Sequence, residues 1–508
     1  MDCIITIEIG TGAIRVAAFD LKGTILGSSK GSYPTFHVKP DFSEQDPEQI
    51  FITMLYILKN FINEKIHPKN CTVVCLCFSS AMHSVLPIDK NGVPLGNAMV
   101  WSDNRAKKEA DDLKNSKLGK LLYNATGTPI HAMSPLNKIT WVKNNDRDRF
   151  AATQKFLSIK TYIIQQLTGE YVIDYSVASA TGMLNIHSLT WEDHALKHAG
   201  IGKEKLADIV SVFYSQAKLK QEYQTSLGLH DKVKLIIGSS DGCMATLGAG
   251  VWGDGKATVT LEESGAVRVF GKEVIQDETQ RLFNYVLTEG NYISGGPTNN
   301  AGSVFEWYAK QFGDFKNAFD LEDCVETLID DAVKVPVGSE GLIFLPYLQG
   351  ERAPIWNANA RGVYFGLNIR HEQQHFVRAT IEGILYAIYS IGKSLEEHRS
   401  FKSLSANGTF ASYPFWTQMM ADIFNKPVHI KQGSGSDSVA LGSFLLSATE
   451  IGLYKNLDEA AETVKLPDSF LPQIQNHNIY MKHYAIFERL GIKLFNEFEA
   501  IADLQQDY

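Results

Sequence analysis

The sequence predicts an α/β protein built of two related domains, and three observations carry that prediction. With 508 residues, an apolar share of 44% and a charged share of 21%, the chain has a globular composition and is too long for one ordinary core. Near its middle, Leu235-Ile236-Ile237 reads as a buried strand. It breaks at Gly238-Ser239-Ser240-Asp241-Gly242 and continues in small residues, from Cys243 to Gly250, as a tightly packed helix. A strand-turn-strand unit also occurs twice. Ser264-Gly265-Ala266-Val267-Arg268-Val269 echoes Thr11-Gly12-Ala13-Ile14-Arg15-Val16, and each copy follows an alternating strand, 258–261 and 6–9.

Composition narrows the function. A net charge of -9 without a long basic run argues against nucleic acid or an anionic membrane as main partner. The N-terminus enters a strand interrupted by Asp2, Glu8 and Arg15, which reads as neither a leader nor a membrane span. The six cysteines form no CxxC pair, and Cys71, Cys75 and Cys77 lie in an apolar run, the pattern of reduced thiols in a cytoplasmic protein. Among 14 histidines there is no HExxH, so a histidine-bound catalytic zinc has little support.

Taken in order, the first strand, Ile4–Ile9, turns at Gly10-Thr11-Gly12 into Ala13–Asp20. Two glycines let the backbone approach a phosphate and turn its N–H groups inward, although many such turns are hairpins and nothing more. Asp46-Pro47-Glu48-Gln49 starts a helix, with the cap residue followed by Pro at the first helical position. The strand Thr72–Phe78 ends in a polar group, Ser79-Ser80-Ala81-Met82-His83-Ser84. In Trp101-Ser102-Asp103-Asn104-Arg105, a ring, a carboxylate and a guanidinium suit a polyhydroxylated ligand, and a helix cap with a surface ion pair reads equally well. A Gly- and Pro-rich loop, Thr126–Pro135 with His131 inside it, leads to a helix carrying Lys138 and Trp141.

Asp241 stands at the strand-to-helix turn. Locally it reads as a helix N-cap, but the turn also sets a carboxylate and free N–H groups at a sheet end, where α/β proteins bind ligands. Further on, Ile293–Gly302 reads as a glycine-rich turn entering a helix at Ser303. The strand Leu404–Ala406 meets the turn Asn407-Gly408-Thr409, a helix begins near Pro414, and a last helix begins near Asp437.

These segments resemble the FGGY family of carbohydrate kinases over roughly residues 3 to 453. Gly350-Glu351-Arg352-Ala353-Pro354-Ile355-Trp356, with Arg361-Gly362 and Gly366-Leu367, looks like the family's C-terminal signature. Residues 238–250 resemble its catalytic-aspartate segment, and 407–422 its adenosine-side loop and helix. The resemblance implies two ribonuclease-H-like (actin-like ATPase) domains with ATP in a cleft between them. Residues 1–245 would form the sugar-side domain and 246–508 the nucleotide-side domain. It implies ATP and Mg2+ as cofactors and Asp241 as the catalytic general base. Met82, His83, Trp101, Asp103, Arg105, His131 and Asp241 fall at substrate-binding positions. Gly10, Thr11, Gly12, Arg15, Glu263, Ser264, Asn300, Gly408 and Thr409 fall at cofactor-binding positions, and Glu8 stands where the family usually has an Asp near magnesium. The implied partners are a sugar or sugar acid and ATP, with neither nucleic acid nor membrane, and a homodimer is carried as a candidate assembly.

Within the family the likeness is to gluconate kinases, carried by 79–84, 101–105, 126–133 and 294–300. The chain also departs from the family pattern. Glu262-Glu263-Ser264 replaces a common Gly-Thr-Ser, and two carboxylates facing a triphosphate repel it. Gly12 replaces a Thr, Ala81 a Gln, and Thr409 a glycine. Three readings follow: a gluconate kinase, a sugar-acid-binding relative with weak or no kinase activity, and a kinase for another substrate such as xylulose or glycerol.

Overall fold

The computed structural model describes residues 1–39, 41–313, 321–430, 437–466 and 468–505. The chain forms two compact units. One comprises Met1–Trp252, Gly271–Ser294 and Asp437–Val464, and the other Gly253–Phe270, Gly295–Ser436 and Lys465–Tyr508.

The first unit is built on a five-stranded sheet of β1 (Asp2–Ile9), β2 (Ala13–Asp20), β3 (Ile25–Ser32), β4 (Thr72–Ser80) and β5 (Lys234–Ser240), in the order β3-β2-β1-β4-β5. β1 and β2 form the expected antiparallel hairpin, while β4 and β5 join in parallel. The middle strand of the sheet, β1, is mostly apolar, as a strand covered on both faces must be. β1 has seven consecutive buried residues after Asp2. Helix α1 (Pro47–Phe61) begins as expected: Asp46 caps it, accepting from the Glu48 and Gln49 amides, and Ile50, Met54, Leu58 and Phe61 go into the core.

The second unit repeats this order. β6 (Gly255–Leu261), β7 (Gly265–Gly271), β8 (Asn291–Thr298), β9 (Phe401–Asn407) and β10 (Val428–Ile430) run β8-β7-β6-β9-β10 within a seven-stranded sheet. Again the first two are an antiparallel hairpin and the next two join in parallel. The sequence echo extends to side-chain pairing. Arg15 meets Glu8 across β1–β2 at 2.8 Å, and Arg268 donates to Thr260 across β6–β7 at 3.0 Å.

Two expectations change. Residues 294–297 lie in β8, so they do not form a turn. Their glycines serve close packing: a Cβ at Gly295 would sit 2.1 Å from the Val267 carbonyl oxygen. The helix Asp437–Glu450 is not the last, since Ile474–Lys493 and Phe495–Gln505 follow it. Tyr175-Ser176-Val177-Ala178-Ser179 is a short helix, capped by Asp174.

Candidate active site

Strand register assembles one sheet end in the first unit. Ile9 pairs with Ser80 and Ser80 with Ser240, so three parallel strands stop in one row. The residues that follow, Gly10, Ala81 and Asp241, therefore share one edge, with neighbouring strands about 4.8 Å apart. This is the carboxyl edge at which open α/β sheets bind ligands.

β5 reaches this row through a bulge. Its register with β4 shifts between Ile236 and Ser239. The amides of Ile237 and Gly238, turned out of the ladder, donate instead to the carbonyls of Tyr214 (3.0 Å) and Val212 (3.2 Å). Gly238 has φ +65°, and a Cβ there would lie 1.8 Å from the Phe78 carbonyl oxygen, so only glycine fits. The cap of the next helix, α2 (Asp241–Gly248), is Ser240, whose Oγ accepts from the Cys243 amide. Asp241 is the first helical residue, partly exposed, with Oδ1 accepting from the Gly242 amide at 2.6 Å. The local reading of Asp241 as the cap is thus replaced by Ser240, which leaves Asp241 at the positive end of the helix.

Two of the positions expected to bind substrate, Met82 and Trp101, lie at the same edge. A small cavity is lined by Gly10, Thr11, Gln45, Ser80, Met82 and Trp101, among others. Trp101 donates from Nε1 to Thr11 Oγ1 at 2.9 Å, tying its loop to the first hairpin. Gln45 donates to the Thr11 carbonyl and to Thr35 Oγ1, and Tyr33 donates to the Gly10 carbonyl, so the Gly10–Gly12 turn is braced from below. Arg15, beside Glu8, completes this hairpin.

Asp103 and Arg105 are engaged with each other. Asp103 is fully buried and accepts from Arg105 Nε (2.8 Å), Arg105 Nη2 (2.7 Å) and the Ser43 amide (2.8 Å). Arg105 also donates to Glu44 at 2.6 Å and lies 3.7 Å from the Phe42 ring centroid. The ion pair is therefore internal and not the surface pair of the alternative reading. His83 has φ +68° and a buried ring. Nδ1 faces the Ala180 carbonyl at 2.8 Å, which requires the proton there, and Nε2 then accepts from Tyr285 Oη at 3.2 Å. His131 is buried in its loop, Nδ1 accepting from the Met133 amide.

In the second unit, the turn Glu262–Ser264 closes the β6–β7 hairpin, with the Glu262 amide donating to the Ser264 carbonyl. Glu263 is exposed, and its carbonyl accepts from the Ser303 amide at 3.0 Å. Gly408 follows β9 with φ +98°, and a Cβ there would lie 2.3 Å from the Leu261 carbonyl oxygen. Two departures from the family pattern meet: Thr409 Oγ1 donates to Glu262 Oε2 at 3.0 Å. Asn300 is buried, donating from Nδ2 to the Gly350 carbonyl (2.7 Å) and to Glu351 (3.2 Å).

Several further residues that shape these sites were not among the expected site residues. Glu351, buried, accepts from Thr298 Oγ1 (2.6 Å) and from the amides of Asn299 (3.1 Å) and Arg352 (2.7 Å), so the signature run holds the 298–300 loop. Burial pushes its carboxyl above the usual range despite these donors. Lys138, buried, donates to the carbonyls of His83 (2.9 Å) and Val100 (2.6 Å), pinning the two loops that carry Met82 and Trp101. Burial lowers its pKa to about 7, with Asp103 opposing and Arg105 assisting the shift. Ser80 is buried, and its Oγ has no hydrogen-bond partner among the described residues. Ser80 was legible only as one member of the polar group that ends β4.

Among the described residues no group of three or more His, Cys, Asp or Glu side chains could hold a metal ion, and no helix is long and apolar enough to cross a membrane. All six cysteines are free and buried.

Residues 3–248 match the N-terminal domain of the FGGY family of carbohydrate kinases, and residues 266–451 match its C-terminal domain. The gluconokinase of Bacillus subtilis is 35% identical over 505 residues, 98% of this chain and 98% of its own. The crystal structure of a gluconate kinase from Lactobacillus acidophilus superposes with a TM-score of 0.91 at 31% identity, over 98% of this chain and 99% of that one. A ligand-bound xylulose kinase from the same organism gives 0.91 and 31% over 99% and 100%. The duplicated strand order, the paired hairpins and these whole-length likenesses converge on a two-domain α/β protein with the actin-like ATPase fold. The chain belongs to the FGGY family of carbohydrate kinases.

Proposed function

We propose that the enzyme transfers the γ-phosphoryl group of ATP to the terminal hydroxyl of gluconate, giving 6-phosphogluconate and ADP. The observation that carries this reading is the 35% identity to a gluconokinase over 98% of both chains. Kinases of this family use ATP with a divalent metal ion, and magnesium is the ion proposed. Magnesium keeps several waters and takes one or two carboxylates beside substrate phosphates. Glu8, at the mouth of the first hairpin, fits that modest demand, and the bound ion would offset phosphate charge.

Asp241 accepts the proton of the gluconate hydroxyl as that oxygen bonds to phosphorus and ADP leaves. Its place at a helix N-terminus favours the carboxylate form in which it acts. Met82, Trp101, His83 and His131 line the substrate, with Ser80 Oγ free to bond a ligand oxygen. Asp103 and Arg105 act on substrate by holding the Trp101 loop, since their charges satisfy each other. Gly10, Thr11, Gly12, Arg15, Glu263, Ser264, Asn300, Gly408 and Thr409 are the residues proposed to handle ATP, the turns through backbone N–H groups. Free cysteines and the cytoplasmic supply of ATP support a cytoplasmic site of action.

ADP release with Mg-ATP and a panel of gluconate, xylulose and glycerol tests the assignment. Gluconate is expected to give the highest kcat/KM by at least about tenfold, a difference of about 1.4 kcal/mol. A preference for xylulose would replace the reading by its rival, which the equal likeness to a xylulose kinase structure favours.

The bond from Thr409 supports a Glu262 carboxylate turned aside from the phosphates. Glu262→Gln is then expected to lower the KM for Mg-ATP by no more than about threefold, the scale of an exposed charge effect. A fall of about tenfold or more would mean that the carboxylate faces the triphosphate.

A further inference from the structure

A buried polar network ends on the two residues that precede Asp241. It starts at Lys160, on the helix Ile159–Thr168, whose Nζ lies 2.8 Å from Asp174 Oδ2, with side-chain exposures of 2% and 0%. The same Nζ donates to the Ser239 carbonyl at 3.0 Å. Asp174 Oδ1 accepts from the amides of Ser176 (3.1 Å) and Val177 (3.2 Å), as cap of the helix Tyr175–Ser179, and from Ser176 Oγ at 2.6 Å.

Ser176 is the hub. Its hydroxyl has one proton and two acceptor positions, and all are used. The proton goes to Asp174, and the oxygen accepts from the Ser240 amide (2.7 Å) and Ser239 Oγ (2.8 Å). Three bonds therefore converge on Ser239 and Ser240. The bulge at Gly238 explains why they are needed. β5 has left the ladder at Ile237–Gly238 and rejoins it for Ser239 and Ser240 only, so strand pairing alone gives the chain little direction where Asp241 begins. A buried ion pair is a poor means of gaining stability, because desolvation offsets the attraction, but it does fix geometry.

We propose that Lys160, Asp174 and Ser176 are positioning residues for the catalytic base. They set the Ser239–Ser240 peptides so that the Asp241 carboxylate is held at the reacting hydroxyl. The inference rests on the assignment of Asp241 as base.

Ser176→Ala tests it with little disturbance. The substitution removes the hub hydroxyl but keeps the Asp174 cap and the Lys160–Asp174 pair. Ala180, which holds His83, therefore stays in place. The expected result is a fall in kcat of about 10- to 100-fold, the scale of a misplaced catalytic group, with the gluconate KM within about twofold of the parent. Ser239→Ala removes one link of the hub and should lower kcat by about threefold at unchanged KM. It decides the question alone if Ser176→Ala does not fold. Parent kcat in the folded variants, with only the melting temperature lowered, would overturn the proposal. Asp241→Asn measured alongside separates the two failures. If that variant turns over at the parent rate, the base assignment falls; if it is inactive while the serine variants keep parent kcat, only the positioning role falls.

Discussion

Asp241→Asn is expected to lower kcat by about 10²–10⁴-fold, the usual contribution of a general base, while gluconate still raises the melting temperature as it does in the parent. The amide keeps the size of the carboxylate and can still accept from the Gly242 amide, now at 2.6 Å from Oδ1, so the turn keeps its shape. What is lost is a group able to take the hydroxyl proton as the new O–P bond forms. Ser240, not Asp241, caps α2, so the substitution removes no helix cap. A large fall in stability would therefore speak against a purely chemical role, and retained turnover would remove Asp241 from the base position. Steady-state ADP release and thermal shift with gluconate, run together, give both readings.

The largest effect on stability is expected at Gly238. A Cβ at this position would stand 1.8 Å from the Phe78 carbonyl oxygen and 2.9 Å from its carbon, and both are backbone atoms of β4 in the middle of the sheet. Backbone of a central strand has no rotamer by which to yield. The residue also sits at φ +65°, where a side chain adds strain of about 1–3 kcal/mol. Forcing the strands apart adds about 1–3 kcal/mol more. Gly238→Ala should thus cost about 4 kcal/mol, read as a lowered midpoint in urea unfolding, against a typical total of about 5–15 kcal/mol. Because the same bulge delivers the chain to Asp241, the fraction that folds should also have a lowered kcat. A parent-like midpoint would mean that β5 can re-register without the bulge.

Much of the fold was legible in the sequence because its signals are local. The Asp46 cap, the apolar strands and the hairpin echo depend on neighbours within a few residues, and each appears where periodicity and turn chemistry place it. The carboxyl-edge position of Asp241 was legible for the same reason, since a strand, a glycine break and a small-residue helix follow one another directly. The glycines of 295–296 read differently in sequence and structure, because their need for small size comes from Val267 and Ala353, distant in the chain. Lys138 and Lys160 were visible only as lysines on mixed helices. Their bonds span 55 and 79 positions to His83 and Ser239, and no local pattern records such a partner. The same holds for Thr409 and Glu262, two separate departures in the sequence that form one hydrogen bond in the structure across 147 positions.

Taken alone, then, the sequence determined the α/β class, the duplication, the family and the first hairpin turn at Gly10-Thr11-Gly12, all written in short-range pattern and motif. Only the tertiary structure decided which residue caps α2, how the chain is steered through a glycine bulge to Asp241, and that Asp103 and Arg105 neutralise each other out of solvent. The physical reason is the same in each case. A buried polar or charged group must find its partner somewhere in the packed interior, and the fold brings that partner from far along the chain.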